Sequence, residues 1–260
     1  MRFPSYKPEN PNHSDDASAS FGFARVDKSQ KQGMVRGVFD SVAAKYDLMN
    51  DAMSFGMHRL WKDRFVSRLH HLNAHSVLLD VAGGTGDIAV RLHRATGAPV
   101  TVLDINEAML REGRARQFDN GERAPLRYVV GNAQCLPMPD NSCDLYTIAF
   151  GLRNVTEIAV ALKEAHRVLK PGGQFRCLEF SPVDTPVIKE IYDAYSFHVI
   201  PRVGSMLAGD KEAYRYLSES IRMFPRAPEL ARMMREAGFD KAEYMHMSLG
   251  VVAMHTGWKY

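Results

Sequence analysis

The glycine-rich stretch at residues 78–87, LLDVAGGTGD, constrains the fold more than any other part of the chain. A short apolar run followed at once by several glycines is typical of a buried parallel strand that turns sharply into a helix. Because glycines also let the backbone approach a ligand closely, this loop predicts a binding site for a nucleotide-type cofactor.

Two carboxylates flank the loop and indicate the class of cofactor. Asp80 precedes the glycines and Asp87 follows them. Helix-end amides at such a loop suit a pyrophosphate, but nearby carboxylates would repel it and attract a cation. S-adenosylmethionine carries an ammonium and a sulfonium group, so the acids favour this cofactor. We expect Gly83, Thr85 and Gly86 to contact it and Asp80 or Asp87 to face its ammonium group, directly or through water; Asp87 can also cap the helix that follows.

The rest of the chain alternates apolar runs with amphipathic stretches. The runs predict strands at residues 76–80, 100–104, 126–130, 144–149 and 175–180, and the stretches predict helices at 87–95, 107–117 and 157–169. Residues 241–247 and 251–258 predict a closing hairpin. We therefore expect an α/β, Rossmann-like fold with a seven-stranded, mostly parallel sheet, a C-terminal antiparallel hairpin and helices on both faces.

The sequence contains no repeat or linker that would divide it, so we expect one domain over residues 33–260. Within it, residues 33–72 predict an N-terminal helical cap, and residues 187–220 predict a helical insertion. Residues 1–32 are polar and interrupted by prolines. They predict a flexible N-terminal tail, with a flap over the substrate site as the alternative.

Composition and charge exclude several classes of partner. The chain has 33 Lys and Arg against 30 Asp and Glu, a formal net charge of +3, so we expect no nucleic-acid partner. Its 3 cysteines lack CxxC spacing, which argues against disulfides and a zinc site, and we expect no metal. Since the sequence shows neither a signal peptide nor an apolar run of roughly 18 residues, we expect a cytoplasmic protein.

Polar residues after the next two predicted strands complete the cofactor site. Asp104 ends the second strand, where its carboxylate can accept both hydrogen bonds of a ribose diol. Asn132 and Ala133 follow the third strand. The Asn side chain and the Ala backbone N–H can bind the edge of an adenine, with a turn-forming Asn as the alternative.

Two further regions resemble one family of enzymes. They are YDLMN at residues 46–50 with Ser54, His58 and Trp61, and FGLRNV at residues 150–155 with LEFS at residues 178–181. Together with the glycine loop they resemble the UbiE-type ubiquinone/menaquinone C-methyltransferases, a family of class I S-adenosylmethionine-dependent methyltransferases, over roughly residues 35–260. The resemblance implies the class I methyltransferase fold and cofactor contacts at Thr85, Asp104, Asn132 and Ala133.

The resemblance also implies a reaction. A methyl group would pass from S-adenosylmethionine to a ring carbon of a polyprenylated benzoquinol, of the 2-methoxy-6-polyprenyl-1,4-benzoquinol type, in ubiquinone biosynthesis. Some members of the family act on demethylmenaquinol in menaquinone biosynthesis. A quinol ring carbon becomes nucleophilic when its hydroxyl loses a proton, and a free hydroxyl of this kind has a pKa of about 10. A fixed cation or a positioned base is therefore needed.

Three residues are candidates for that activation. Arg153 follows the fourth predicted strand, and its permanent charge can stabilise a phenolate or orient a water; an ion pair that stabilises the loop is the alternative. Asn154 can orient the ring hydroxyl or cap the next helix. His58 is a candidate base at neutral pH, with a hydrogen bond inside its helix pair as the alternative.

Other residues are candidates for binding the acceptor. We expect Tyr46 and Tyr195 to contact the ring, with a packing role as the alternative. His198 is a second candidate base, with a core or surface position without a chemical role as the alternative. Residues 195–207 are apolar with one permanent cation. They predict a lid over the isoprenoid chain or a contact with the membrane surface, and an ordinary core helix is the alternative.

Two other functions stay open at this point. Residues 84–89 fit a loose GxGxxG/A pattern, and Asp104 is suitably spaced from it, so an NAD(P)-dependent Rossmann oxidoreductase is one alternative. A non-catalytic, cofactor-binding scaffold of a quinone-biosynthesis complex is the other. We expect a polyprenylated quinol as substrate. Three further associations stay open: a complex with quinone-biosynthesis enzymes, a peripheral contact with the inner face of the membrane, and a homodimer.

Overall fold

The computed structural model describes residues 17–42, 51, 54, 56–67, 69, 71–119, 121, 124–182 and 211–260. The strands are β1 (Ser18–Phe21), β2 (Ala24–Asp27), β3 (Leu78–Val81), β4 (Val100–Asp104), β5 (Leu126–Val130), β6 (Cys143–Ala149), β7 (Leu169–Phe180), β8 (Lys241–Met247) and β9 (Val252–Trp258). The helices are α1 (Lys28–Val42), α2 (His58–Phe65), α3 (Asp87–Thr96), α4 (Glu107–Asp119), α5 (Ile158–Val168), α6 (Lys211–Met223) and α7 (Ala227–Glu236), with 3-10 turns at Leu152–Asn154 and Ser248–Gly250.

One sheet holds seven of these strands, in the order β5-β4-β3-β6-β7-β9-β8. The first five strands in this order pair in parallel, whereas β9 runs antiparallel to both β7 and β8. β3 lies between β4 and β6, which is the point where open α/β sheets bind their ligands. The predicted seven-stranded, mostly parallel sheet with a C-terminal hairpin is confirmed.

Helices cover both faces of the sheet because successive side chains of a strand point to opposite sides. In β3, Leu78 packs in an apolar cluster with side chains of α1, α2, α3 and α6. Leu79 packs in a second cluster, with side chains of α5 and α7. All four residues of β3 are buried, as expected for a central parallel strand. Asp80, between these apolar neighbours, is therefore the unusual residue of the strand.

Residues 18–32 depart from the predicted flexible tail. β1 and β2 form an antiparallel hairpin, and α1 starts at Lys28. Phe21 stacks on Tyr216 of α6 with ring centroids 4.3 Å apart, which ties the hairpin to the domain. The tail prediction is wrong here because two strands of four residues each are too short to give a periodic signal. The remainder of the predicted tail, residues 1–16, lies outside the described residues.

The two predicted helical additions are described only in part. α2 lies within the predicted cap at residues 33–72, whereas α1 begins before the cap and ends inside it. α6 occupies the end of the predicted insertion at residues 187–220, whose earlier part is outside the described chain.

Gly113 of α4 packs directly against the glycine loop, and this contact can be tested. A Cβ at Gly113 would lie 2.6 Å from the backbone oxygen of Thr85. We expect Gly113→Ala to lower the free energy of unfolding by about 1–2 kcal/mol, because overpacking outweighs the helix propensity of alanine. Gly37→Ala in α1 is the matched control, since a Cβ there meets nothing within 4 Å. Urea unfolding measures both variants, and equal stabilities would contradict the packing described.

Candidate functional site

A cavity lies at the carboxyl edge of the sheet, where β3, β4, β5 and β6 end. We call it the edge cavity. Parallel strands end at the same edge, so residues far apart in sequence meet there. Its lining includes Ala82, Gly84, Asp104, Asn106, Met109, Asn132, Ala133, Gln134, Phe150, Gly151 and Asn154, together with one face of α1.

Asp104 is held at this cavity by backbone amides. Its Oδ2 accepts a hydrogen bond from the N–H of Gly84 at 2.9 Å, and its Oδ1 accepts one from the N–H of Asn106 at 2.8 Å. Burial raises the pKa of the Asp104 carboxyl, and these hydrogen bonds oppose that rise. Each oxygen retains a lone pair for a further donor. The carboxylate is thus fixed in position and can bind two more hydrogen-bond donors.

The loop between β3 and α3 needs glycine for its backbone shape. Gly84 and Gly86 have φ of 54° and 83°, in the left-handed region that favours glycine. Gly83 is needed for packing, because a Cβ there would lie 2.7 Å from Cγ1 of Val102. Ala82 and Gly84 are the loop residues in the lining of the edge cavity, which does not include Gly83, Thr85 or Gly86. The contacts of Gly83, Thr85 and Gly86 with a cofactor stay predictions.

Asp80 is a buried carboxyl with one oxygen that lacks a described partner. Its Oδ1 accepts a hydrogen bond from the hydroxyl of Thr147 at 2.7 Å, whereas its Oδ2 has none among the described residues. Burial raises the pKa of Asp80 to about 7, and the charges of Asp87 and Asp104 add to the rise. A Cβ at Gly83 would lie 2.8 Å from Oδ2, which places this oxygen directly against the loop.

Asp87, the second flanking acid, is already paired. Its Oδ2 accepts a hydrogen bond from Nζ of Lys62 at 2.8 Å, and its Oδ1 accepts one from Nε of Arg91 at 3.0 Å. Burial would raise the pKa of Asp87, but the two cations outweigh it and the pKa is lowered. Asp80 is therefore the flanking acid whose charge, when ionised, is not matched by an adjacent cation.

The turn after β5 lines the far side of the edge cavity. Asn132 and Ala133 both reach the cavity, as does Gln134, which the sequence analysis did not select. The side-chain Oδ1 of Asn132 accepts a hydrogen bond from the N–H of Gln134 at 2.9 Å. Asn132 thus stabilises the turn, the alternative stated above, and it also lines the cavity.

Two residues adopt strained backbone conformations where β3 and β6 end. Ala82 and Phe150 have φ of 50° and 56° and both line the edge cavity. Such conformations cost roughly 1–3 kcal/mol each and persist only where packing enforces them. Gly151 allows the two turns to touch, because a Cβ there would overlap Cβ of Ala82.

Arg153 is buried and forms an ion pair with Glu179 of β7. Its Nη1 donates to Oε1 of Glu179 at 2.6 Å and to the carbonyl oxygen of Phe150 at 2.6 Å. Arg153 is 7% and Glu179 1% exposed, so the pair is shielded from solvent. Arg153 lines a second cavity, beneath the hairpin and beside α6, and not the edge cavity. The sequence analysis quoted Glu179 in a motif but assigned it no role.

Asn154 and His58 lie in different environments. Asn154 lines the edge cavity, and its Oδ1 accepts a hydrogen bond from the hydroxyl of Tyr216 at 3.0 Å. His58 is buried in α2 and its Nε2 lies 2.9 Å from Oδ1 of Asp51. Burial, with the charge of Lys62, lowers the pKa of His58. His58 lines neither of the two cavities described, so the structure does not bring it together with Arg153 and Asn154.

α1 contributes a wall of the edge cavity that the sequence analysis missed. Gln32, Val35, Arg36 and Phe39 line the cavity from this helix. The spacing of Val35 and Phe39 indicates a helix face, but it does not reveal that the face covers a ligand site. The three candidate acceptor contacts, Tyr46, Tyr195 and His198, lie outside the described residues.

Comparison with known proteins identifies the family of this chain. Residues 25–259 match the ubiE/COQ5 methyltransferase family. The chain is 55% identical to a protein named ubiquinone/menaquinone biosynthesis C-methyltransferase UbiE from Methylobacterium nodulans, over 94% of this chain and 98% of that protein. It is 53% identical to a protein of the same name from Brucella anthropi, over 92% of each chain.

A solved structure supports the fold assignment. An S-adenosylmethionine-dependent methyltransferase from Thermotoga maritima superposes with a TM-score of 0.60 at 19% sequence identity, over 87% of this chain and 100% of that chain. At this identity the likeness concerns the fold alone. The family match over nearly the whole chain carries the assignment: the chain belongs to the ubiE/COQ5 methyltransferase family.

Proposed function

We propose that this methyltransferase uses S-adenosylmethionine to methylate a ring carbon of a polyprenylated benzoquinol, and also of demethylmenaquinol. Membership of the ubiE/COQ5 family and the names of the relatives support the reaction class. The observation that carries the cofactor assignment is the amide-held carboxylate of Asp104 at the end of β4. A fixed carboxylate there matches a ribose diol.

The residues around the edge cavity suit S-adenosylmethionine. Asp104 would bind the ribose, and Asn132 with the N–H of Ala133 would bind the adenine edge. Asp80 lies against the loop, and its Oδ2 has no partner among the described residues. Its negative charge would bind the ammonium group of the cofactor, directly or through water. When bound, S-adenosylmethionine supplies a methyl group activated by its sulfonium charge. Gly84 leaves space for the cofactor, and Thr85, Gly83 and Gly86 would shape the loop beneath it.

The alternative dehydrogenase function is not supported. A dinucleotide would place its pyrophosphate against the glycine loop, where the buried Asp80 disfavours negative charge. The family match is to methyltransferases. A non-catalytic scaffold predicts cofactor binding without turnover, so the methylation assay below separates it from the proposed enzyme.

For the acceptor, we infer that Arg153 and Asn154 act on its hydroxyl. The guanidinium of Arg153, although its charge is paired with Glu179, would donate a hydrogen bond to the phenolate oxygen or orient a water beside it. Asn154 reaches the edge cavity and would orient the hydroxyl. His58 stays a candidate base, and Tyr46, Tyr195 and His198 stay candidates for contacts with the acceptor ring.

The acceptor's isoprenoid chain bears on where the enzyme works. No helix among the described residues is both long and apolar enough to cross a membrane. We propose a peripheral contact with the inner face of the membrane, through which an apolar substrate would reach the site.

Asp104→Ala tests the cofactor assignment. We expect the Kd for S-adenosylmethionine to rise by at least about 100-fold, because two hydrogen bonds to a charged group, each worth about 1.5–3 kcal/mol, are lost. The matched control is Asp140→Ala, which removes an aspartate whose side chain is 70% exposed and pairs with Arg167. Isothermal titration calorimetry measures both. An unchanged Kd in Asp104→Ala would refute the ribose assignment.

Proton release on cofactor binding tests the role of Asp80. The pKa of Asp80 is about 7, so this carboxyl is mostly protonated at pH 6. A bound cation favours the ionised form, so binding at pH 6 should release close to one proton and should weaken as pH falls further. Calorimetry in buffers of different ionisation enthalpy measures the release. Asp80→Asn keeps an acceptor for Thr147 but should release none; equal release from both proteins would exclude Asp80 as the source.

A methylation assay tests the function and the role of Arg153 together. Labelled S-adenosylmethionine is incubated with each demethylated quinol, and the label is located on carbon or oxygen of the product. We expect carbon methylation by the wild type and a loss of about 100- to 1000-fold in kcat for Arg153→Ala. That variant also leaves Glu179 buried without its cation, which costs about 3–5 kcal/mol of stability.

The double variant Arg153→Met/Glu179→Gln separates catalysis from stability. Both charges are removed, so we expect stability to recover toward the wild type while methylation stays low and the Kd for S-adenosylmethionine changes little. If the double variant regains wild-type turnover, Arg153 has only a structural role. If the wild type binds the cofactor but methylates neither quinol, the scaffold function is favoured.

A further inference from the structure

The second cavity, which Arg153 lines, carries a further cation that has no role in the function proposed above. It has a volume of about 150 Å³, far more than the roughly 10–15 Å³ that one water needs. Lys31 and Arg153 are the charged side chains among its described lining, and no described carboxylate lines it. The hydroxyl residues of its lining are Ser20, Thr156, Tyr216 and Ser220. The cavity therefore presents cations and hydroxyl groups to whatever enters it.

Lys31 is the unmatched charge of this cavity. It lies in the first turns of α1, is 5% exposed, and its Nζ donates to the carbonyl oxygen of Val155 at 3.0 Å. Arg153 is neutralised by Glu179, whereas no described carboxylate pairs with Lys31. Burial lowers the pKa of Lys31 to about 8. A single neutral carbonyl does not compensate an ammonium group for its lost hydration, so this lysine is costly to the fold.

The second cavity adjoins the edge cavity. Val155 and Thr156 line both. Asn154, which lines the edge cavity, accepts a hydrogen bond from Tyr216, which lines the second one. The 3-10 turn at Leu152–Asn154 thus presents Asn154 to one cavity and Arg153 to the other. A ring bound at their junction would have the cofactor on one side and the cations on the other.

We propose that the second cavity is a phenolate site, in which Lys31 binds the deprotonated hydroxyl oxygen of the acceptor. This inference rests on the proposed function and adds a residue to it. The ammonium group has three hydrogens and uses one on Val155, so it can donate to the phenolate oxygen while the hydroxyl proton passes to bulk water. A bound anion would supply the counter-charge that Lys31 lacks.

The first experiment measures phenol ionisation in the full chain without turnover. The probe is 4-nitrophenol, whose absorbance reports its ionisation. We expect its apparent pKa to fall by about one unit or more when it binds the wild type, because a nearby cation favours the ionised form. In Lys31→Met the shift should be lost, and in Lys31→Arg it should be largely kept. An unshifted pKa, or no binding to the wild type, would overturn the proposal.

A matched control removes a different lysine from the same helix. Lys28 lies one turn before Lys31 and pairs with Glu157 at 2.8 Å, outside the lining of either cavity. We expect Lys28→Met to shift the pKa of 4-nitrophenol as the wild type does. If Lys28→Met and Lys31→Met lose the shift equally, the effect belongs to the helix and not to Lys31, and the proposal fails.

The second experiment measures methylation of the quinol. We expect Lys31→Met to lose at least 10-fold in kcat/KM, Lys31→Arg to recover part of it, and both to keep the wild-type Kd for S-adenosylmethionine. Wild-type turnover in Lys31→Met would overturn the proposal while leaving the enzyme function intact. Absence of methylation by the wild type, with the 4-nitrophenol shift present, would instead refute the quinol function and keep the phenolate site.

Discussion

The buried ion pair between Arg153 and Glu179 determines how the carboxyl edge of the sheet is organised. It joins the turn that follows β6 to the end of the neighbouring strand β7, and Arg153 also donates to the carbonyl of Phe150. Removing charges from water costs several kcal/mol per ion. The close geometry of the pair offsets this cost, as do the hydrogen bonds that Glu179 accepts from the N–H groups of Arg153 and Phe180. Once formed, it fixes the turn from which Asn154 and Arg153 reach two different cavities.

Close packing of small residues makes the same edge rigid. Ala82 and Phe150 hold left-handed conformations that an isolated peptide would avoid, and Gly151 lets their turns meet without a side chain between them. Gly113 likewise allows α4 to pack closely against the glycine loop, at Thr85. The position of Asp104 depends on this arrangement, because one of its two amide partners is Gly84 of that loop. A single volume change at these contacts would therefore move the carboxylate.

The sequence predicts the part of this site that depends on local patterns. Apolar runs locate β3 and β4, and the acids and glycines beside them locate Asp80, Asp104 and the loop, since each signal lies within a few residues. The hairpin of β1 and β2 gives no such signal, because its strands are short and are held by distant contacts such as that of Phe21 with Tyr216.

Ion pairs between residues far apart in the sequence are the other feature that the sequence does not reveal. Nothing local to Arg153 indicates that Glu179 neutralises it, and nothing local to Asp87 indicates that Lys62, which precedes it by 25 residues, does so. Lys31, by contrast, is a buried charge without a carboxylate partner among the described residues. In the sequence it resembles any solvated helix lysine, and only the tertiary structure shows it to be buried. Which charges remain unmatched is therefore decided by packing.

Asp80 and Lys31 are buried groups of opposite charge, and neither has an adjacent counter-charge among the residues described. The carboxyl of Asp80 lies against the glycine loop, and the ammonium of Lys31 lies in the adjoining cavity. Each costs folding free energy alone, and the pKa of each is displaced toward its neutral form. In the reaction proposed, a cationic methyl donor would offset the first charge and an anionic acceptor the second. The fold would then be most stable when both reactants are bound. The buried charges would thus contribute to substrate binding, although they destabilise the free protein.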